Sequence, residues 1–97
     1  MKQFLYKKEF LRAFDRGKEL ERELITAADK QIRHFYMTQT APHGLRIKKL
    51  FEKGREKTFE ARVSDKIRIL YVESEELVAF VFLGNHDQVR RYIKSFK

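Results

Sequence analysis

The chain has 97 residues, enough for a single domain over residues 1–97 with one core. It contains no cysteine, which excludes a disulfide framework, a thiolate zinc site and a cysteine nucleophile. Lys and Arg number 22 against 14 Asp and Glu, a net charge of +8, which favours an anionic partner such as nucleic acid. The alternative is a small cationic protein whose surface charge serves solubility.

Hydropathy argues against a membrane protein. No apolar run approaches the roughly 18–20 residues that span a bilayer, and charges interrupt the N-terminal segment, unlike a signal peptide. Hydrophobic residues make up 42% of the chain and can fill a core. We therefore expect a folded, cytoplasmic protein with no membrane partner.

The first half of the chain carries the pattern of one strand and two helices. Residues 3–7 are predicted to form a short strand, and residues 8–39 follow a helical period. Gly17 allows a bend, so we predict a short helix followed by a long one, which together form a helical hairpin. Thr26 and Asp29 have the spacing of a capping box, which leaves a break there as an alternative. The apolar patches of the two helices are Phe10, Leu11 and Phe14, then Leu20, Leu24, Ala27, Ala28, Ile32, Phe35 and Tyr36.

After Pro42 and Gly44 the hydrophobic period changes to two, which indicates strands. Strands are predicted at residues 45–51, 57–63, 66–73 and 77–83, and their short connections imply an antiparallel meander. Residues 77–83 are apolar without alternation, as in a central strand covered on both faces. Residues 87–96, which include Phe96, are predicted to form a helix. The fold class is therefore α+β: an N-terminal strand and a helical hairpin packed on a curved, mainly antiparallel sheet of four to five strands, with a short C-terminal helix.

Strand alternation predicts a cationic face on this sheet. Phe59, Ala61 and Val63 should face the helices, so the polar side chains between them face the other way. Such a face could bind phosphate groups, and the single carboxylate among its cations could accept a proton. The alternative is an ordinary solvated sheet face. Because neighbouring strands lie about 4.8 Å apart, the residues expected to gather there are Arg46, Lys48, Glu60, Arg62, Lys66 and Arg68.

His86 follows the predicted central strand, at the edge where the cationic face opens. The ordinary pKa of histidine, about 6.5, suits a proton donor, although a loop histidine is commonly only a surface residue. His34, His43 and His86 show no short metal-ligand spacing, so no metal site is predicted. Tyr71 and Tyr92 are the aromatic residues that we consider for stacking on RNA bases.

Four short motifs follow one another in the second half of the chain: HGLRIKKL at residues 43–50, FEARV at 59–63, IRILY at 67–71 and LGNHD at 83–87. In this order they resemble the RelE/ParE superfamily of bacterial type II toxins, and the chain length and predicted element order also fit it. The resemblance implies a ribosome-dependent mRNA endonuclease that uses no metal or other cofactor. It further implies a cognate antitoxin that holds the enzyme inactive, with the ribosome and mRNA as its other partners.

The same resemblance assigns roles to individual residues. Arg62 and Arg68 would stabilise the transition state of RNA cleavage, and His86 would act as acid or base. Glu60 would serve as the base or only as an ion-pair partner. The residues expected to hold RNA or ribosomal backbone are Arg46, Lys48, Lys49, Lys66, Arg90 and Tyr92.

Two positions depart from the superfamily pattern. Arg90 stands where many relatives have Tyr four residues after the histidine, and Ile67 stands where an aromatic residue usually precedes the arginine. The departures leave two alternatives open: a ParE-like inhibitor of DNA gyrase, or a degenerate module that only binds antitoxin or RNA. His86 and the cationic face favour the nuclease, because gyrase inhibition requires no proton-transfer residue.

Overall fold

The computed structural model describes residues 2–39 and 44–95, and within them the elements follow the predicted order. Strand β1 (Gln3–Tyr6) precedes helices α1 (Lys8–Arg16) and α2 (Glu19–Thr38). Strands β2 (Arg46–Lys53), β3 (Glu56–Arg62), β4 (Arg68–Glu73) and β5 (Leu77–Gly84) follow, and then helix α3 (His86–Ser95). The predicted α+β class is confirmed. The predictions that involve Pro42, His43 and Phe96 lie outside the described residues.

The described strands form one sheet in the order β1-β5-β4-β3-β2. Strands β2 to β5 are the predicted antiparallel meander, and β1 pairs in parallel with β5. Strand β5 therefore lies between β1 and β4, and most of its side chains are buried. The helical hairpin covers one face of the sheet and α3 covers part of the other. The prediction that residues 77–83 form a strand covered on both faces is thus confirmed.

The larger core lies between the helical hairpin and the sheet. Phe80 of β5 is fully buried there, and its ring centroid lies 4.8 Å from that of Tyr6 and 5.8 Å from those of Phe10 and Tyr71. Aromatic pairs at these separations add packing energy to the area that they bury. Residues of β3, and one just after it, that were predicted to face the helices also pack on this core: Phe59, Ala61 and Val63.

Helix α2 faces the sheet with part of the predicted apolar patch and with one residue outside it. Ala28 and Ile32 of the patch are buried, and so is Ile25, which the prediction left out; Tyr36 of the patch packs on the same core. The predicted patch is wider than the face that meets the sheet, so the helical period alone does not decide which of its residues reach the core. The residues predicted in apolar core patches but found exposed are Leu11, Leu20 at 67%, Leu24 at 40% and Ala27.

Helix α2 is continuous, so the alternative break at Thr26 and Asp29 is wrong. The helix begins after Lys18, whose backbone N–H donates to the Glu21 carboxylate at 2.8 Å. Asp29 lies in the middle of the helix and accepts a hydrogen bond from the sheet instead. No helix among the described residues has both the length and the apolarity that crossing a membrane requires.

Two tyrosine–carboxylate hydrogen bonds fasten α2 to the sheet. The Tyr6 hydroxyl of β1 donates to Asp29 at 2.7 Å, and the Tyr36 hydroxyl of α2 donates to Glu73 of β4 at 2.6 Å. Burial, together with these carboxylates, raises the pKa of both tyrosines well above the ordinary value. Both hydroxyls therefore remain protonated and continue to donate at any physiological pH.

Tyr36→Phe removes the hydroxyl that donates to Glu73. The substitution should lower the free energy of unfolding by about 1–3 kcal/mol, the usual cost of leaving a partly buried acceptor unpaired. Urea denaturation followed by circular dichroism measures the change. Met37→Ala, at the adjacent and exposed position, should stay within about 0.5 kcal/mol of the parent. Equal stability of Tyr36→Phe and the parent would contradict the anchoring role.

Candidate functional site

Helix α3 begins at His86 because Asn85 and Gln88 form a capping box at its N-terminus. The Asn85 N–H donates to the Gln88 side-chain oxygen, and the Gln88 N–H donates to the Asn85 side-chain oxygen, both at 2.8 Å. These bonds satisfy N–H groups that the start of a helix would otherwise leave open. The box therefore fixes the backbone at His86, the first residue of the helix.

Gly84 leaves the room that this capping box needs. A Cβ atom at position 84 would lie 2.8 Å from the Gln88 side-chain oxygen and 3.0 Å from the Phe82 ring. Any side chain at position 84 would therefore displace Gln88 from its bond to Asn85. Packing against Gln88 and Phe82 thus explains why the sequence motif at residues 83–87 has glycine at position 84.

Helix α3 lies over only part of the sheet. Its Val89 is fully buried in a small core with Leu70 of β4 and with Ala79 and Val81 of β5. As far as residue 95, the helix consequently lies mainly over β4 and β5 and leaves most of the neighbouring part of β2 and β3 uncovered. A groove remains between the flank of α3 and these two strands.

This groove, which we call the α3 groove, has a volume of about 420 Å³. It brings together Lys48 of β2, Glu60 of β3, and His86 and Arg90 of α3, all of which are predicted site residues. His86 and Arg90 are exposed and stand one helical turn apart, on the same side of α3. The remaining lining residues, which sequence reasoning missed, are Leu50, Phe51, Ile93 and Lys94.

The register of β2, β3 and β4 places further cations beside the α3 groove. Arg62 stands opposite Arg46 on one neighbouring strand and opposite Arg68 on the other, and Lys48 stands opposite Glu60. Directly opposed residues of an antiparallel pair point to the same side of the sheet. The cationic face predicted from alternation is therefore confirmed for these five residues.

Two arginines of this face form ion pairs. Arg68 Nη1 donates to Glu60 Oε1 at 2.9 Å, and only 16% and 11% of these side chains are exposed. Arg62 Nη2 donates to Asp65 at 2.6 Å, nearer the solvent. The Glu60 carboxylate is thus already engaged by a cation. The cations around the groove that form no ion pair with any described residue are Arg46, Lys48, Arg90 and Lys94.

Two lysines predicted to bind RNA lie away from the groove. Lys66 belongs to the bend between β3 and β4, because β4 begins only at Arg68, and it lines a separate depression. Its predicted place on the cationic face is therefore wrong. Lys49 stands opposite Phe59 and so points to the hairpin side of the sheet, where it pairs with Glu52.

Neither tyrosine considered for stacking lines the α3 groove. Tyr71 is 2% exposed and packs between Phe59 and Phe80, so that prediction is wrong. Tyr92 is half-buried and stacks on Phe82 with ring centroids 4.4 Å apart. Both rings therefore contribute to packing around β5.

Within residues 2–39 and 44–95, no three histidine, aspartate or glutamate side chains are grouped as metal ligands. The chemistry that the groove can support comes from an imidazole, a carboxylate and several cations. Such a set can bind a phosphodiester and exchange protons with it. Of the lining residues that sequence reasoning missed, Lys94 could have been found from the sequence, because it lies two helical turns after His86 and therefore on the same side of α3.

Comparison with solved structures identifies the fold. The archaeal RelE–RelB complex from Pyrococcus horikoshii OT3 matches with a TM-score of 0.68 and 13% identity, over 87% of this chain and 93% of that chain. The E. coli DinJ–YafQ complex matches with a TM-score of 0.70 and 16% identity, over 92% and 98%. The RelB–RelE antitoxin–toxin complex from Methanococcus jannaschii matches with a TM-score of 0.64 and 15% identity, over 91% and 96%.

These matches span nearly the whole of each chain and show that the protein has the RelE-like fold. The fold that the sequence motifs implied is thereby confirmed. No family model and no curated protein sequence matches the chain. Because the identities are low, these comparisons show the fold alone.

Gly84→Ala tests the packing that positions α3. The new methyl group should push Gln88 out of the capping box and lower the free energy of unfolding by about 1–2 kcal/mol, in the range of a lost helix cap. In a Gln88→Ala background the same substitution should cost less, because the closest clashing atom is absent. Thermal or urea unfolding of the four proteins in this cycle measures the difference. Equal costs in both backgrounds would show that Gln88 does not set the requirement for glycine.

Proposed function

We propose that the protein is the toxin of a type II toxin–antitoxin system and acts as a ribosome-dependent, metal-independent mRNA endonuclease. The observation that carries the proposal is the α3 groove, where His86 and Glu60 lie with cations in a RelE-like fold. The matched structure from Methanococcus jannaschii is an antitoxin–toxin complex, which supports a cognate antitoxin as the partner of this chain.

The proposed reaction is an internal transesterification of RNA. The 2′-oxygen of one nucleotide attacks the adjacent phosphorus, the bond to the 5′-oxygen of the next nucleotide breaks, and a 2′,3′-cyclic phosphate remains. The 2′-hydroxyl gives up a proton, and the leaving 5′-oxygen gains one. His86, exposed in the groove, is suited to one of these transfers. Lys48 and Arg90 would hold the phosphate and offset its growing negative charge.

The ion pair between Glu60 and Arg68 bears on the two roles considered for the carboxylate. A carboxylate oxygen that already accepts from an arginine is occupied by that hydrogen bond. The pair at 2.9 Å therefore supports Glu60 as the residue that holds Arg68 against the cationic face. In that position Arg68 would act on the phosphate together with Arg62.

The same ion pair favours a second candidate function. Glu60 and Arg68 offset each other's charge, so on this reading neither is left free for catalysis. A protein that only binds antitoxin, RNA or gyrase needs no catalytic group and would tolerate this ion pair. Induced expression with primer extension on a translated reporter mRNA separates the candidates. Cleavage within translated codons that stops when initiation is blocked supports the nuclease. Growth arrest with intact mRNA supports the gyrase inhibitor, and the absence of arrest supports a binding module.

His86→Gln tests the proton-transfer role directly. Cleavage of ribosome-bound mRNA in a purified translation system should slow by about 10²–10⁴-fold, the usual contribution of general acid–base catalysis. His34→Gln provides the matched control, because His34 is exposed on α2, outside the groove. Its cleavage rate should equal that of the parent. A His86→Gln protein that cleaves as fast as the parent would refute the assignment.

Arg62→Ala tests electrostatic stabilisation with little cost to the fold, because its partner Asp65 is 91% exposed. Cleavage should fall by up to about 10²–10³-fold, the cost of losing one donor to transition-state charge. Arg55→Ala, which also breaks an ion pair at the surface, should leave cleavage unchanged. Arg68→Ala is a less direct test, because it strands the largely buried Glu60 and lowers stability as well. Equal effects of Arg62→Ala and Arg55→Ala would contradict the proposed role.

A further inference from the structure

The two side chains that cap helix α3 lie on the other side of the helix from the α3 groove. His86 and Arg90 line the groove. Asn85 and Gln88 instead line the separate depression that Lys66 borders. Gln88 stands two residues after His86, and two residues turn a helix by about 200°. The capping side chains are therefore not among the residues that would touch an RNA bound in the groove.

Three hydrogen bonds close the first turn of α3. Two are the bonds of the capping box, and in the third the Val89 N–H donates to the Asn85 carbonyl at 3.0 Å. Gln88 takes part in two of the three, once through its side chain and once through its backbone. Because the first N–H groups of a helix have no partner within the helix, a first turn without its cap frays.

Fraying would affect His86 more than the other groove residues of α3. His86 is the first residue of the helix, so its backbone depends on the capping box. Arg90 lies one turn further on and follows Val89, which is fully buried in the small core beneath α3. Loss of the box would therefore displace His86 from Arg90 and from Lys48 of β2, while these two cations kept their places.

We infer that Gln88 is a positioning residue for the proposed cleavage and holds His86 where it can exchange a proton with the bound RNA. This inference rests on the proposed function and deepens it by naming a residue outside the groove on which the acid–base group depends. Proton transfer requires its donor and acceptor to stand within hydrogen-bond reach. Gln88 itself touches neither the RNA nor the reacting atoms.

Gln88→Ala removes the side chain that accepts from the Asn85 N–H. In single-turnover cleavage of ribosome-bound mRNA, the rate at saturating protein should fall by up to about 10²-fold, the cost of misplacing a reacting group by about 1 Å. The protein concentration at half-saturation should stay the same, because Lys48 and Arg90 still bind the phosphate. Gln88→Glu keeps an acceptor at this position, as in the common capping box, and should cleave at the rate of the parent.

A double-mutant cycle with His86→Gln separates positioning from stability. Since Gln88 acts through His86, Gln88→Ala should cost nothing further once His86 is replaced. Tyr36→Phe is the control for destabilisation, because it breaks a hydrogen bond to Glu73 outside the groove. It should cleave at the rate of the parent. Circular dichroism verifies that each variant is folded.

Several results would overturn the inference and leave the proposed function in place. They are equal losses from Gln88→Ala in both backgrounds, a loss that Gln88→Glu does not recover, and a folded Gln88→Ala protein that cleaves like the parent. If Gln88→Ala does not fold, Asn85→Ala and Asn85→Asp repeat the comparison from the other half of the box, because aspartate caps a helix as well as asparagine does. A parent protein that cleaves no mRNA on translating ribosomes would overturn the proposed function and this inference with it.

Discussion

The burial of β5 on both faces is the constraint on which the rest of the structure depends. An apolar strand without alternation needs a cover on each side, and the chain supplies two unequal covers. The helical hairpin closes one face through the large aromatic core around Phe80. The ten-residue helix α3 closes only part of the other. The groove lies beside this second cover, which over the described residues extends mainly over β4 and β5.

Charge is distributed unevenly around that groove. Arg62 and Arg68 face acidic partners within the protein, and the more deeply placed pair, Arg68 with Glu60, is largely removed from water. The cations nearer the mouth, Lys48 and Arg90, form no ion pair with a described residue. An arriving phosphate would therefore meet uncompensated charge first and fixed, oriented charge further along the sheet face. Such an arrangement attracts the anion and limits the reorganisation needed when it is bound.

Alternation and helical period were sufficient to predict the order of elements, the meander and most of the cationic face. They work because each depends on neighbours along the chain. The failures have nonlocal causes. Which residues of the predicted patch on α2 reach the core is decided by packing and by the hydrogen bond that Tyr6 donates to Asp29, and the pairing of Glu60 with Arg68 depends on register. Lys66 was misplaced because β4 starts later than its pattern suggests, and Phe51 was missed because no spacing rule anticipates the β-bulge between Lys49 and Phe51.

The parallel pairing of β1 with β5 has a consequence for how the chain folds. It joins Gln3 to Leu77, whereas β2 to β5 pair through short turns with their sequence neighbours. Closing so long a loop costs entropy before any contact compensates it, which makes such pairings slow. We therefore expect the meander and α3 to assemble first from local contacts. A chain in which β1 and the hairpin had not docked would expose the apolar face of β5 to solvent, and exposed apolar surface of this kind promotes aggregation.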